Sequence, residues 1–163
     1  MAKPSAISVG VEFHGRVRSI VHAFFSRLSA WRPPFLSILR IVTALLYLQH
    51  ATMKLFHWPA MPLPPGATPP PGGGGGFSAF MLIGVLELVG SLLLIVGFWA
   101  RCAAFVLSGE MAIAYWTAHA PRSFFPLLNF GESAVLFCFV FLYIAAAGPG
   151  PWSIDAARKS EMA

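Results

Sequence analysis

Charge is what this chain has least of. Asp, Glu, Lys and Arg make up 10% of its residues, against about 25% in an ordinary soluble domain. Hydrophobic residues make up 57%, and mean hydropathy is +0.72. Such a chain lacks the polar surface to stay dissolved and reads as an integral membrane protein. At 163 residues it reads as one bundle rather than two domains. Cysteine is nearly absent. Cys102 and Cys138 form no CxxC and no metal-ligand spacing, and no His set suits haem or metal, so no bound metal is expected. The glycine run Gly72–Gly76 is not followed by GKS or GKT, which excludes a phosphate loop. Acids are few as well, 6 against 11 Lys and Arg, for a net charge of +5. The basic residues gather before the first apolar run and after the last. That is a pattern of membrane topology rather than of nucleic-acid binding.

Residues 1–34 form a basic segment. Val17, Ile20, Val21, Phe24, Phe25 and Leu28 recur at helical spacing, with Arg16, Arg18, His22 and Arg27 largely opposite. This is an amphipathic helix suited to the headgroup region. The same Arg- and Ser-rich, acid-poor composition also suits an organelle transit peptide. Four apolar spans follow within a membrane domain, residues 35–152: Phe35 to Trp58, Phe77 to Trp99, Cys102 to His119 and Leu127 to Ala147. A Pro- and Gly-rich connector, His57 to Gly76, joins the first two. Residues 153–163 are a polar tail. Four spans put both termini on one side, where Lys3, Arg16, Arg18, Arg27, Arg32, Arg101, Arg158 and Lys159 then lie. Only Lys54 and Arg122 fall opposite. The positive-inside rule makes that side cytoplasmic, at the inner membrane of a bacterium. The expected fold is therefore an all-α four-helix transmembrane bundle with an N-terminal interfacial helix.

The few charges that enter the spans are not scattered. Arg40, Thr43, Tyr47, His50 and Lys54 are three or four residues apart and form one stripe, while Leu45, Leu48 and Met53 face away. Gly84, Glu87 and Ser91 share a face of the second span, and Glu110 lies at similar depth in the third. Counting at 1.5 Å per residue puts Glu87 roughly 15 Å inside its outer end. His50, Lys54, His119 and Glu132 fall in the outer third. A polar pocket of His50, Lys54, Glu87, Glu110, His119 and Glu132 is expected, in which at least one of Glu87 and Glu110 is neutral or shares a proton near pH 7. A charge at the centre of a span costs about 2.5–3.5 kcal/mol, so such groups are commonly functional. The plainer reading is that each bonds one helix to another, for about 0.6 kcal/mol. Arg40 and Arg101 are assigned structural roles at the inner side, Arg40 by snorkelling to it. Met111, Trp116, Phe124 and Phe125 read as packing or interface anchors. Ala104, Ser108 and Ala112 let another helix approach closely. Cys102 and Cys138 differ in height by roughly 10 Å or more, beyond disulfide reach, and read as buried inert thiols.

Three features together resemble the DoxX family of small membrane proteins. The first is Arg40 followed by Lys54 in the first span. The second is GVLELVGSLLLIVGFWARCAAFVLSGEMAIAYWTAH, with its Glu-Leu-x-Gly span and Gly-x-x-x-Arg turn. The third is NFGESAVLFCFVFLYIAAAGPGPWSID, with its Gly-Glu start and Gly-Pro-Gly-x-x-Ser-x-Asp ending. The resemblance runs from about Phe35 to Asp155 and implies a four-helix membrane fold. Of activity it implies little: some members of that family are subunits of quinone-linked sulfur oxidoreductases, others are associated with redox-stress assemblies, many have no known activity, and this chain has no CxxC for a thiol-disulfide role.

Two functions follow. One is a redox-associated subunit whose pocket holds a quinone-like headgroup on Lys54, His50 or His119, with the acids passing protons. It would carry no redox cofactor of its own, a partner protein supplying one. The other is a non-enzymatic scaffold, small-solute binder or carrier within a membrane complex. A proton-coupled transporter fits less well, because the chain has no recognisable second repeat.

Overall fold

The computed structural model describes residues 6–60 and 79–161; for residues 6–15, 17 and 79 it describes the backbone alone. Most of the Pro/Gly connector, the predicted start of the second span at Phe77, and Lys3 lie outside the described residues. The described residues form helices joined by short turns and include no strand. The helices are α1 (Ala6–Ala30), α2 (Arg32–Phe56), α3 (Ala79–Val96), α4 (Ala100–Ala114), α5 (Pro126–Asn129), α6 (Glu132–Ala147) and α7 (Ile154–Glu161). A π-helical turn, Tyr115–His119, and a 3-10 turn, Ala120–Arg122, extend α4.

Local chemistry sets the boundaries. Pro33 and Pro34 open α2, where a missing N–H costs nothing. His57 closes it in the left-handed conformation, its N–H reaching Met53 O at 3.1 Å. α3 stops at Gly97, whose φ of 69° suits glycine, and whose missing side chain leaves room for Ser153 and the Arg40 guanidinium. The predicted spans shift accordingly. The second ends at Val96 rather than Trp99. The third changes from α to π at Tyr115. The fourth begins at Glu132 rather than Leu127, because Phe130 takes the left-handed conformation and separates the one-turn α5 from α6.

α2, α3, α4 and α6 pack as a ring, each antiparallel to the next. α2 lies along α3 and α4 along α6, with lighter contact between α3 and α4 and between α2 and α6. Ser108, from the predicted small-residue face, donates to the Cys138 carbonyl of α6 at 2.8 Å. α2 is long and apolar enough to cross a membrane, while Phe80–Val96 of α3 and all of α6 are apolar but shorter. The ring is apolar outside, and its apolar core around Tyr47, Leu94, Leu107, Phe141 and Ile144 also holds buried polar groups. Leu46, Val89, Phe105, Ile113 and Leu136 are exposed, whereas Ser37, Arg40, Thr43, Glu87, Ser91 and Ser108 are buried. Apolar outer faces this extensive are unusual in a soluble fold.

One end of the ring is fastened by charge. Arg40 does not snorkel. It is fully buried, and its guanidinium donates to the carbonyls of Leu94, Ile95, Pro149 and Trp152. Arg101 donates to the carbonyls of Ala145 and Ala146 at 2.8 and 2.6 Å, at the C-terminus of α6. Asp155 accepts from the Trp99 and Ala100 N–H groups at 3.0 and 2.9 Å, at the N-terminus of α4. Each charge meets the helix end of opposite polarity. The Gly-Pro-Gly-x-x-Ser-x-Asp ending is thus the strap across this end. Gly150, at φ 76°, passes so close to Ser37 that a Cβ there would sit 2.8 Å from its backbone nitrogen.

α1 makes little contact with the ring, its contacts with α2 being few. Ile20, Val21, Phe24, Phe25 and Leu28 are all exposed on it. The side chain of Val17 lies outside the described set. Cys102, expected to be buried, is exposed on the outward face of the first turn of α4, and Cys138 is partly buried; both are free thiols.

Candidate functional site

The polar stripe of α2 faces the ring interior because its residues recur every three or four positions. Tyr47 is buried there, and His50 and Lys54 follow at one and two turns, both half-buried. On α3, Gly84 and Glu87 are one turn apart. A Cβ on Gly84 would lie 3.1 Å from Lys54 Cβ, so the glycine lets the lysine stem run close to α3. Lys54 Nζ pairs with Glu87 Oε1, with side-chain exposures of 14% and 1%. Across the ring, the Tyr47 hydroxyl donates to Glu110 Oε2. The Tyr47 ring is held edge-on to Phe141 at 4.9 Å and tilted against Phe137 at 5.1 Å. His50 sits 5.8 Å from Phe137, edge to face, and within electrostatic range of both Glu87 and Lys54. Lys54 also lies over the Phe80 ring at 5.6 Å.

Among the described residues two polar atoms in this region have no hydrogen-bond partner: Glu87 Oε2 and Ser91 Oγ, one turn apart on α3 and both fully buried. Buried polar atoms are nearly always satisfied, so an orphan pair marks a place where a water, a proton or a ligand atom belongs. The remaining groups can donate, accept and exchange protons. Lys54, His50 and Tyr47 surround two carboxylates, Glu87 and Glu110, that lie within electrostatic range of each other.

The structure brings together His50, Lys54, Glu87 and Glu110 of the predicted pocket. It places His119 and Glu132 elsewhere. The π turn carries His119 onto the α5 loop, where its Nδ1 is 3.0 Å from the Asn129 carbonyl and its ring stacks on Tyr115. Glu132 is the first residue of α6 and exposed; it serves the helix dipole rather than the pocket. Tyr47 and Ser91 belong to the site although neither is charged. Their place in the polar stripes was the signal. Asp155 lay in an unremarkable tail, and only its spacing after the Gly-Pro-Gly turn pointed to a cap.

A ring of helices with oily outer faces and a few ionisable groups enclosed in its core is the build of a membrane protein. The DoxX family profile matches residues 35–120. A Haemophilus influenzae relative, described as an uncharacterized protein, is 41% identical over 134 residues, covering 80% of this chain and 95% of the relative. No solved structure matches the chain significantly. The chain belongs to the DoxX family of membrane proteins.

Proposed function

We propose that the chain is a four-span membrane subunit whose cluster of Tyr47, His50, Lys54, Glu87 and Glu110 receives the headgroup of a quinone-class molecule. The redox centre of the assembly belongs to a partner protein. α2, α3, α4 with its π turn, and α6 with α5 are the spans. Arg32, Arg101, Arg158 and Lys159 mark the cytoplasmic end, and α1 lies on the same leaflet. The observation that carries the reading is the unpartnered, buried Glu87 Oε2 beside the Lys54 ammonium. Lys54 and His50, near the outer end of α2, suit the two oxygens of a planar ring, and Phe80 and Phe137 supply apolar faces. Glu87 and Glu110 would share and pass a proton through Tyr47. Chromatography of lipids extracted from protein purified in mild detergent tests this. A quinone should travel with the wild type and be lost from the Lys54→Met/Glu87→Gln double variant, with partner proteins still attached.

A second reading is a scaffold within a membrane complex. It is favoured by the fact that Lys54 and Tyr47 already hold partners inside the chain, so the cluster coheres without a ligand. On that reading the double variant changes no bound lipid and loosens the partners instead.

A further inference from the structure

A cavity of about 930 Å³ opens at the strapped end of the ring, between the start of α2, the α3–α4 turn, the end of α6 and α7. Four cations line it: Arg32, Arg101, Arg158 and Lys159. Among the described residues its lone carboxylate is Asp155, and both of its oxygens are taken by the Trp99 and Ala100 N–H groups. The cations are unequally engaged. Arg101 is committed to α6 carbonyls, and Arg158 stacks over Phe98 at 5.6 Å. Arg32 and Lys159 have no hydrogen-bond or ion-pair partner among the described residues. Between the charges the walls are apolar: Leu36, Trp99 and Tyr143 line the cavity, and the two aromatics are exposed.

Uncompensated cations above exposed aromatics suit a ligand that is anionic at one end and oily at the other. We propose that this cavity binds the phosphodiester headgroup of an anionic phospholipid, with Arg32 and Lys159 on the phosphate and the acyl chains running down past Leu36 and Tyr143. Basic pockets between helices at the cytoplasmic interface recognise such headgroups through the same charges. The proposal rests on the membrane reading above but not on the quinone. A free phosphate offers the same anion without the tail, so the test separates the two sources.

The purified protein is titrated in mild detergent with phosphatidylglycerol, cardiolipin, phosphatidylcholine or glycerol phosphate, and bound molecules are counted by native mass spectrometry. The anionic lipids should bind and phosphatidylcholine should not. Glycerol phosphate should bind far more weakly than either anionic lipid, and raising salt should weaken lipid binding. The Arg32→Gln/Lys159→Gln variant removes two side chains that hold nothing else. It should keep its helical circular dichroism and bind anionic lipid about thirtyfold more weakly, at about 1 kcal/mol per charge. Equal binding of phosphatidylcholine, equal binding of glycerol phosphate, or undiminished affinity in the variant would overturn the proposal while leaving the membrane reading intact. Release of the wild-type chain from membranes by alkaline carbonate would overturn both.

Discussion

Lys54 and Glu87 differ in burial, and that difference decides what each substitution does. Glu87 is enclosed, while Lys54 keeps 14% of its side chain exposed near the end of α2. Lys54→Met therefore strands a carboxylate in an apolar interior and should cost about 3–5 kcal/mol. Glu87→Gln should cost less, because the lysine can swing its ammonium toward the outer surface. The double variant should be more stable than Lys54→Met alone, and melting temperatures in detergent across the double-mutant cycle check this. Equal losses for the two single variants would mean the pair is not as unevenly buried as described. Residue spacing made this pair legible. Lys54 falls on the Tyr47 stripe and Glu87 at matching depth, and helical periodicity does the rest. His119 and Glu132 were misjudged because depth counted along an uninterrupted α-helix fails wherever the backbone departs from it. The departures here are a π turn at Tyr115–His119 and a left-handed Phe130, and the apolar composition of both stretches conceals them.

Among the elements, the strap formed by residues 148–155 carries weight out of proportion to its length. Asp155→Ala removes the acceptor of two N–H groups at the start of α4 and should cost about 1 kcal/mol, as lost N-caps do. Arg40→Met leaves carbonyls from α3 and from the strap without a donor and should cost about 3 kcal/mol or more. Resistance to protease in detergent should rank wild type above Asp155→Ala above Arg40→Met; the reverse order would assign the fastening to the cap. α1 is a different kind of element, with an apolar face that no part of the ring covers. In vesicles of a chain cleared of Cys102 and Cys138, a membrane-impermeant thiol reagent with access to this leaflet should label Ser19→Cys readily and Phe24→Cys slowly. Equal labelling would lift α1 off the bilayer. The heptad-like spacing of its apolar residues made α1 readable. The strap was visible as a motif, but its partners Ser37, Arg40 and Trp99 lie far off in sequence, and no local pattern pairs them.

For the whole molecule, the charges divide the bundle into two ends. Arg32, Arg101, Arg158 and Lys159 gather at the strapped end, and Lys54 lies near the other. Reporter fusions at both termini should therefore give cytoplasmic signals, and a fusion in the segment between α2 and α3 should give the opposite one. Opposite signals from the two termini would remove one span from the count. The order of the long helices α1, α2, α3, α4 and α6 was legible because each apolar run is bounded by a turn or a basic residue, whereas the short α5 and α7 were not. The ring order was not, since it depends on contacts such as Ser108 with Cys138 and Tyr47 with Phe141 that join distant stretches.

The Arg40 guanidinium has a consequence for how the protein is made. One of its acceptors, the Pro149 carbonyl, lies 109 residues further along the chain. During synthesis the Leu94 and Ile95 carbonyls of α3 become available to the guanidinium first, and the strap carbonyls of Pro149 and Trp152 only once nearly the whole polypeptide has been made. A chain that terminates early, before Pro149, would leave the guanidinium with its α3 acceptors alone and that end of the ring unstrapped.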